Sequence, residues 1–288
     1  MSAALYLLRA GKSVLLLEKD SIGGQIAKSP RLENYPSVKS ISGSDWSDQL
    51  FDQITDLGAQ FELEEVVLIE KNLEIFTVKT NFNFYEAKTV IIAGGCTHRH
   101  LGLPREEELT GHGISYCAVC DGPFYAKQDV VLIGDANTAL QYAISMSEYC
   151  HHVYIATLFD RFFADDILVQ RMKGIENISY RHNLAAKEYI GENNLEAVRF
   201  EDTKTGDEVT VKVAACFIAI GQEPHNEVFK NLVELDDKGF IKVDANMNTG
   251  VKGLYAVGDC RQKSVRQVVT AINDGAIAAI HAANNMDR

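Results

Sequence analysis

Two cysteines two residues apart, in Tyr116-Cys117-Ala118-Val119-Cys120-Asp121-Gly122, are the side chains whose spacing points most directly to chemistry. Cys117 and Cys120 can close a small disulfide ring that a dithiol partner reopens, because an attacking thiolate hands its mixed disulfide to a resolving neighbour. Such a pair is also half of a four-coordinate zinc site. Cys96, Cys150, Cys216 and Cys260 stand singly, and no second pair faces the first. Dithiol redox chemistry is therefore the preferred reading, with a structural metal or incidental buried cysteines as the alternatives, and no metal is expected. Asp121 follows the second thiol and is the candidate acid/base, since a carboxyl there can protonate a departing thiolate. Helix capping is its structural alternative, and His112 is a weaker candidate for proton transfer.

A chain of 288 residues accommodates one large or two ordinary domains. Its composition, 46% hydrophobic and 24% charged, suits a globular protein, and neither a membrane-spanning apolar run nor a secretion signal is read from it. The formal charge of −12, from 40 acidic against 28 basic residues, disfavours nucleic acid and anionic membranes as partners. Six cysteines in this length do not make a secreted disulfide framework, so the expected location is cytoplasmic.

The elements that must position the thiols alternate strand and helix. Residues 2–10 have helical spacing, ended by Gly11, and residues 13–17 form a short apolar run ending in Glu18, which suits a parallel strand covered on both faces. An acidic residue at the end of a second strand ordinarily binds a ribose about 20 residues after the first fingerprint glycine. No G-x-G-x-x-G precedes Glu18. Gly23-Gly24-Gln25 opens a loop region with Pro30 and Pro36, read either as a cofactor cover or as a surface turn. A helix over 44–58, an antiparallel excursion over 65–87 and a strand over 89–95 follow. Residues 129–133 begin a second nucleotide-type module, continued by a helix to about Cys150, a strand over 153–157 and a β-rich section to Ile220. Chain crossings are expected within 101–113 and near 236–239, and a terminal helix over 267–283.

Ser2 to Glu18, Gly23-Gly24-Gln25, Glu33-Asn34-Tyr35-Pro36, Cys117 to Gly122, Gly258-Asp259 and Arg266-Gln267 together resemble the low-molecular-weight thioredoxin reductases, almost from end to end. The resemblance implies an α/β fold: two Rossmann-like (three-layer) nucleotide-binding-type domains, the second inserted into the first. It places a discontinuous FAD-binding domain at 1–110 and 238–288, and at 111–237 an inserted domain carrying the redox pair. In that family the pyrophosphate loop and first strand lie before the equivalent of Ser2-Ala3-Ala4, so the biological chain is expected to begin upstream; the alternative is a chain that binds FAD poorly. Glu18 is implied at the adenosine ribose, Gly24 and Gln25 along the cofactor, Asn34 near the isoalloxazine and Asp259 at the ribityl or pyrophosphate-side hydroxyls. Arg266, Gln267 and the helix start at Val268 are implied at the pyrimidine edge, where free helix N–H groups stabilise negative charge. Thioredoxin is the implied substrate, with a homodimer as the assembly.

The inserted domain departs from that pattern. Gly134 and Ala139 stand at the outer positions of the dinucleotide fingerprint, but Ala136 occupies the middle glycine and Asp135 lies in the loop. Where NADPH users carry a histidine-arginine-arginine run and a further arginine, this chain has Thr157, Leu158, Phe159 and Phe163. None of these can fork onto phosphate oxygens, and Arg161, which sits off the matching positions, is the one candidate to replace part of the missing charge. The pattern is similar to the ferredoxin-dependent flavin thioredoxin reductases, which implies electrons passing from ferredoxin through FAD to Cys117–Cys120. Because ferredoxins are usually acidic, docking calls for a local basic patch, for which Arg31, Lys39, Arg99, Arg105 and Lys263 are candidates. The alternatives are an NAD(P)H-dependent reductase of thioredoxin or another disulfide protein, and a catalytically weak binding protein on the flavin scaffold.

Overall fold

The computed structural model describes residues 1–29, 32 and 34–286. Pro30, Arg31 and Glu33, which belong to the expected cofactor loop and basic patch, lie outside the described residues. The chain forms two compact units, Met1–Thr97 with Glu223–Arg288, and His98–Gln222. The second is inserted into the first. Its limits differ from the expected crossings near 110 and 237, for local reasons. Glu106 accepts the N–H groups of Leu101 and Leu103 and the hydroxyl of Tyr116, binding 98–110 to the redox turn. Asn226 donates to the carbonyls of Gly239 and Cys260, binding 223–237 to the discontinuous unit.

In the discontinuous unit, helix Ser2–Arg9 buries Ala4 and Leu7, and Leu7 joins the core of the terminal helix Val268–Asn285. Gly275 permits this approach: a Cβ there would stand 3.0 Å from the Ala3 nitrogen. Leu15–Glu18 pairs in parallel with Gln60–Leu63, and Val90–Ile92 pairs in parallel with Leu254–Ala256. Helix Gly43–Thr55 begins where the Ser42 hydroxyl accepts the Asp45 N–H at 3.0 Å, an N-cap that satisfies one of the free donors of its first turn. The antiparallel excursion consists of Val66–Asn72, Ile75–Thr80 and Phe84–Ala87.

The inserted unit is built on a five-stranded parallel sheet in the spatial order Ile178–Arg181, His152–Ala156, Asp129–Ile133, Ala215–Ile218, Ile114–Ser115. The central strand alternates as a strand buried on both faces must. Val130 and Leu132 join the cluster of helix Asn137–Met146, while Val131 and Ile133 join the cluster of the antiparallel sheet Leu184–Ile190, Ala197–Asp202 and Glu208–Lys212. The first helix of this module ends at Met146 instead of near Cys150. A further helix, Asp166–Lys173, has no counterpart in the sequence reading: Leu168, Val169 and Met172 face the core, but outward-facing Ile167 blurs the stripe. Among the described residues no helix is long and apolar enough to cross a membrane.

Candidate functional site

The redox turn lies wholly in the inserted unit. Cys117 and Cys120 are joined as a disulfide with their Cα atoms 5.3 Å apart. Cys117 caps the short helix Ala118–Asp121, and its sulfur accepts the Cys120 N–H at 3.2 Å. A hydrogen bond to sulfur favours the thiolate once the ring opens. The turn fits tightly, since a Cβ on Gly122 would stand 2.3 Å from the Tyr149 hydroxyl. Cys96, Cys150, Cys216 and Cys260 are buried. Burial pushes Cys96 up to about 12 and Cys150 and Cys260 up to about 11, and raises Cys216 as well, so these thiols stay protonated and unreactive near neutrality.

Asp121 follows Cys120 at the end of the helix Ala118–Asp121, and burial raises its carboxyl above the usual range while a hydrogen bond from Ser115 acts against that rise. The Ser115 hydroxyl donates to Asp121 Oδ2 at 2.6 Å. On the other side of the turn Tyr116 gives its hydroxyl to buried Glu106 at 2.7 Å and lies 2.7 Å from His100 Nδ1. Burial works to raise Glu106, but the Tyr116 hydroxyl, two backbone N–H groups and His100 outweigh it, and its carboxyl is held below the ordinary value. The His112 N–H donates to the Leu109 carbonyl and its own carbonyl accepts the Leu195 N–H.

The residues expected around FAD all lie in the discontinuous unit. Glu18 ends its strand and accepts the Asp20 N–H at 3.0 Å. Gly23 and Gly24 take left-handed backbone, with φ of 89° and 54°, and a side chain on Gly23 would collide with Ser47. Gln25 immediately precedes the short 3₁₀ turn Ile26–Lys28, without a capping bond from its side chain. The structure brings Asn34 and Gln267 together: Asn34 Nδ2 donates to Gln267 Oε1 at 3.0 Å. Gln267 also caps the terminal helix in a reciprocal box with Thr270, and Val268 is the first residue of that helix. Arg266 lies over the Phe240 ring at 4.2 Å.

Asp259 sits in the turn Gly258–Cys260, its carboxyl raised by burial against the pull of Lys263 and Arg266. Beneath it lies Asp274, only 2% exposed, which accepts Arg261 Nε at 2.8 Å and Nη2 at 2.7 Å, Lys263 Nζ at 3.0 Å and the Gly258 N–H at 3.1 Å. The sequence reading did not single out Asp274. A lone carboxylate in a helix otherwise rich in alanine and isoleucine was the available signal. Lys263 was expected on a basic docking patch, but its side chain is 6% exposed and spans Asp274 and Asp259. Arg105 is likewise committed, to Glu108 and to the carbonyls of Gly191 and Glu192.

The dinucleotide-type loop of the inserted unit is joined to the loop after the neighbouring strand by a β-bridge between Ala136 and Phe163. A Cβ on Gly134 would stand 2.6 Å from the Ala219 carbonyl, so that glycine serves packing. The Phe163 N–H donates to the Asp135 carbonyl at 2.8 Å, and Phe163 bridges Ala136. Burial raises Asp135. Thr157 is buried against His182 at 2.7 Å, while Leu158, Phe159 and Phe163 are about half exposed. Arg161 lies on the Phe163 ring at 4.9 Å.

The family of pyridine nucleotide-disulphide oxidoreductases matches residues 1–275. A thioredoxin reductase of Bacillus subtilis (strain 168) is 37% identical over 280 residues, 97% of this chain and 89% of that protein. This chain belongs to that family, among its thioredoxin reductases. A 34.2 kDa protein in the rubredoxin operon of Clostridium pasteurianum is 34% identical over 98% of this chain and 92% of its own length. The crystal structure of thioredoxin reductase from Streptococcus pyogenes MGAS5005 superposes with a TM-score of 0.95 at 34% identity, covering 99% of this chain and 94% of that one. The α/β architecture with two Rossmann-like domains is thereby that of the thioredoxin reductases, and the chain is a flavin disulfide oxidoreductase of that type. Thioredoxin reductases bind FAD. Two buried polar atoms that lack a hydrogen-bond partner among the described residues, Asp259 Oδ1 and Arg266 Nε, fit such a ligand, because a buried acceptor and donor left unpaired are costly without one.

Proposed function

We propose that this protein reduces the disulfide of thioredoxin with electrons received from reduced ferredoxin through FAD, without NADPH or NADH. Glu18, Gly24, Gln25, Asn34, Asp259, Arg266, Gln267 and Val268 hold the flavin. When bound, FAD supplies the conversion of single electrons into the pair that a disulfide requires. The free N–H groups at the start of the Val268–Asn285 helix favour negative charge at the site they face.

The chain's own part of the reaction is thiol exchange. With both sulfurs reduced, the Cys117 thiolate attacks thioredoxin's disulfide, forming an intermolecular S–S bond and releasing one thioredoxin thiolate. The Cys120 thiolate then attacks Cys117, restoring the internal disulfide and releasing the second. Two electrons leave the dithiol, and Asp121 moves protons to and from the sulfurs. The assembly is a cytoplasmic homodimer.

The observation that supports a donor other than a nicotinamide is the Phe163–Asp135 backbone bond at 2.8 Å. It lays chain across the loop where a pyrophosphate requires close backbone approach, and it turns phenylalanine outward where a phosphate requires arginine. Reduction of the purified flavoprotein under anaerobic conditions with NADPH, NADH and reduced ferredoxin in parallel, followed by titration of thioredoxin thiols, tests the reading. Multiple turnovers with ferredoxin alone are expected. Rapid flavin bleaching and turnover with NADPH would overturn it.

A further inference from the structure

The Ser115 side chain is 3% exposed and held by the strand Ile114–Ser115, whose residue partner on the neighbouring strand is Phe217. Its oxygen has three polar neighbours. It lies 2.6 Å from Asp121 Oδ2, accepts the Cys117 N–H at 3.0 Å and lies 3.4 Å from the Cys117 carbonyl oxygen. A serine hydroxyl carries one donor and two acceptor lone pairs. With Asp121 ionised, the hydroxyl proton points to Oδ2 and the Cys117 N–H fills one lone pair. With Asp121 protonated, its O–H fills the second lone pair, and the serine proton turns to the Cys117 carbonyl. Either state is hydrogen-bonded, and the exchange needs only rotation of one hydroxyl.

We propose that Ser115 is a positioning residue for thiol–disulfide exchange, a hydroxyl rotor that couples the protonation of Asp121 to the backbone of Cys117. This rests on the reading of Asp121 as the proton-transfer group. The neighbouring titratable groups do not compete for the charge. Burial and the Asp121 charge both raise the Tyr125 phenol and keep it protonated, and Tyr149, whose hydroxyl lies against Gly122, is pushed up to about 12 by burial. Cys117 and Cys120 are the sulfurs served.

The step can be isolated with dithiothreitol. Its thiolate attacks the Cys117–Cys120 bond, the departing sulfur takes the Asp121 proton, and Ser115 turns its own proton onto the new carboxylate. The second dithiothreitol thiol then closes the reductant's ring and leaves the protein dithiol, so two electrons pass from reductant to protein. Rates of this reduction, followed by alkylation and mass shift across about pH 5 to 9, are measured on the full chain. Asp121→Asn is expected to slow it by about a hundredfold. Ser115→Ala should slow it by about tenfold and displace its pH profile upward, because the carboxylate loses a donor. Ser115→Thr should restore the rate. Ser115→Ala/Asp121→Asn should be no slower than Asp121→Asn alone. If Ser115→Ala does not fold, the Thr and Val variants compare hydroxyl with methyl at equal size. An undiminished tenfold effect in the Asp121→Asn background, or a normal rate in Ser115→Ala while Asp121→Asn is slow, would overturn the rotor. A normal rate in Asp121→Asn would overturn the parent assignment together with it.

Discussion

Phe163 is bound through its backbone to Asp135 at 2.8 Å, two loops of one sheet clasped across the end of the central strand. Loops at that end of a dinucleotide-type sheet are where such a ligand is seated, and here Leu158, Phe159 and Phe163 are exposed without a phosphate-binding group while Arg161 is laid on the Phe163 ring. Replacing Ala136 with Gly and Leu158, Phe159 and Phe163 with Arg should therefore tighten NADPH binding by at least about tenfold, roughly 1.4 kcal/mol, as measured by calorimetric titration of parent and variant. Micromolar binding by the parent would contradict the nicotinamide-independent reading.

Cys117→Ser and Cys120→Ser should each lower thioredoxin reduction by at least about a thousandfold while leaving the flavin absorbance in place. The two variants differ in what they trap. Cys120→Ser leaves the attacking thiol and should accumulate a mixed disulfide with thioredoxin; Cys117→Ser should not. Alkylation of the reduced native protein should label this pair and spare Cys96, Cys150, Cys216 and Cys260, which are buried and held protonated. Trapping by Cys117→Ser instead would reverse the assigned roles.

The two modules and the thiol pair were legible because their signals are local. Burial on both faces writes Val130 to Ile133 as an unbroken apolar run, and C-x-x-C needs four residues. What joins distant segments was not legible. Glu106 reaches forward to Tyr116, and Asn226 to Cys260, and these bonds set the unit limits away from 110 and 237. Lys263 looked like a surface cation because nothing adjacent to it in sequence reveals the Asp274 carboxylate. Ser115 carries no motif, and its role is visible only from the three polar atoms around its oxygen.

Asp274 should be costly to neutralise. Burial acts against its charge, but Arg261 and Lys263 prevail and its carboxyl is held below the ordinary value. Asp274→Asn strands two cations in a buried site and should cost about 3–5 kcal/mol in urea unfolding near neutrality. A folded-state value below the unfolded one, about 3.9, means that the contribution is complete above that pH and is lost as the pH falls through the folded value. The gap between parent and variant should therefore narrow in acid. A gap that stays constant down to about pH 2 would remove Asp274 as its source.

Asp259 has the opposite sign. Burial raises its carboxyl, with Lys263 and Arg266 only partly compensating, and Oδ1 accepts no hydrogen bond from the described residues. A carboxyl whose folded-state value lies above its unfolded value favours folding most in acid, and that advantage is lost as the pH rises through the folded value. At neutral pH, then, the ionised group is a strain, and in the proposed flavin site the cofactor's hydroxyls would relieve it. Asp259→Asn should leave the flavin-free protein at least as stable as the parent at pH 7 and bind FAD about 10- to 100-fold more weakly, the loss of a charged hydrogen-bond acceptor. Thermal melts of the flavin-free proteins and fluorescence titration with FAD separate the two effects. Unchanged FAD affinity would show that Asp259 serves the Lys263 and Asp274 cluster instead of the cofactor.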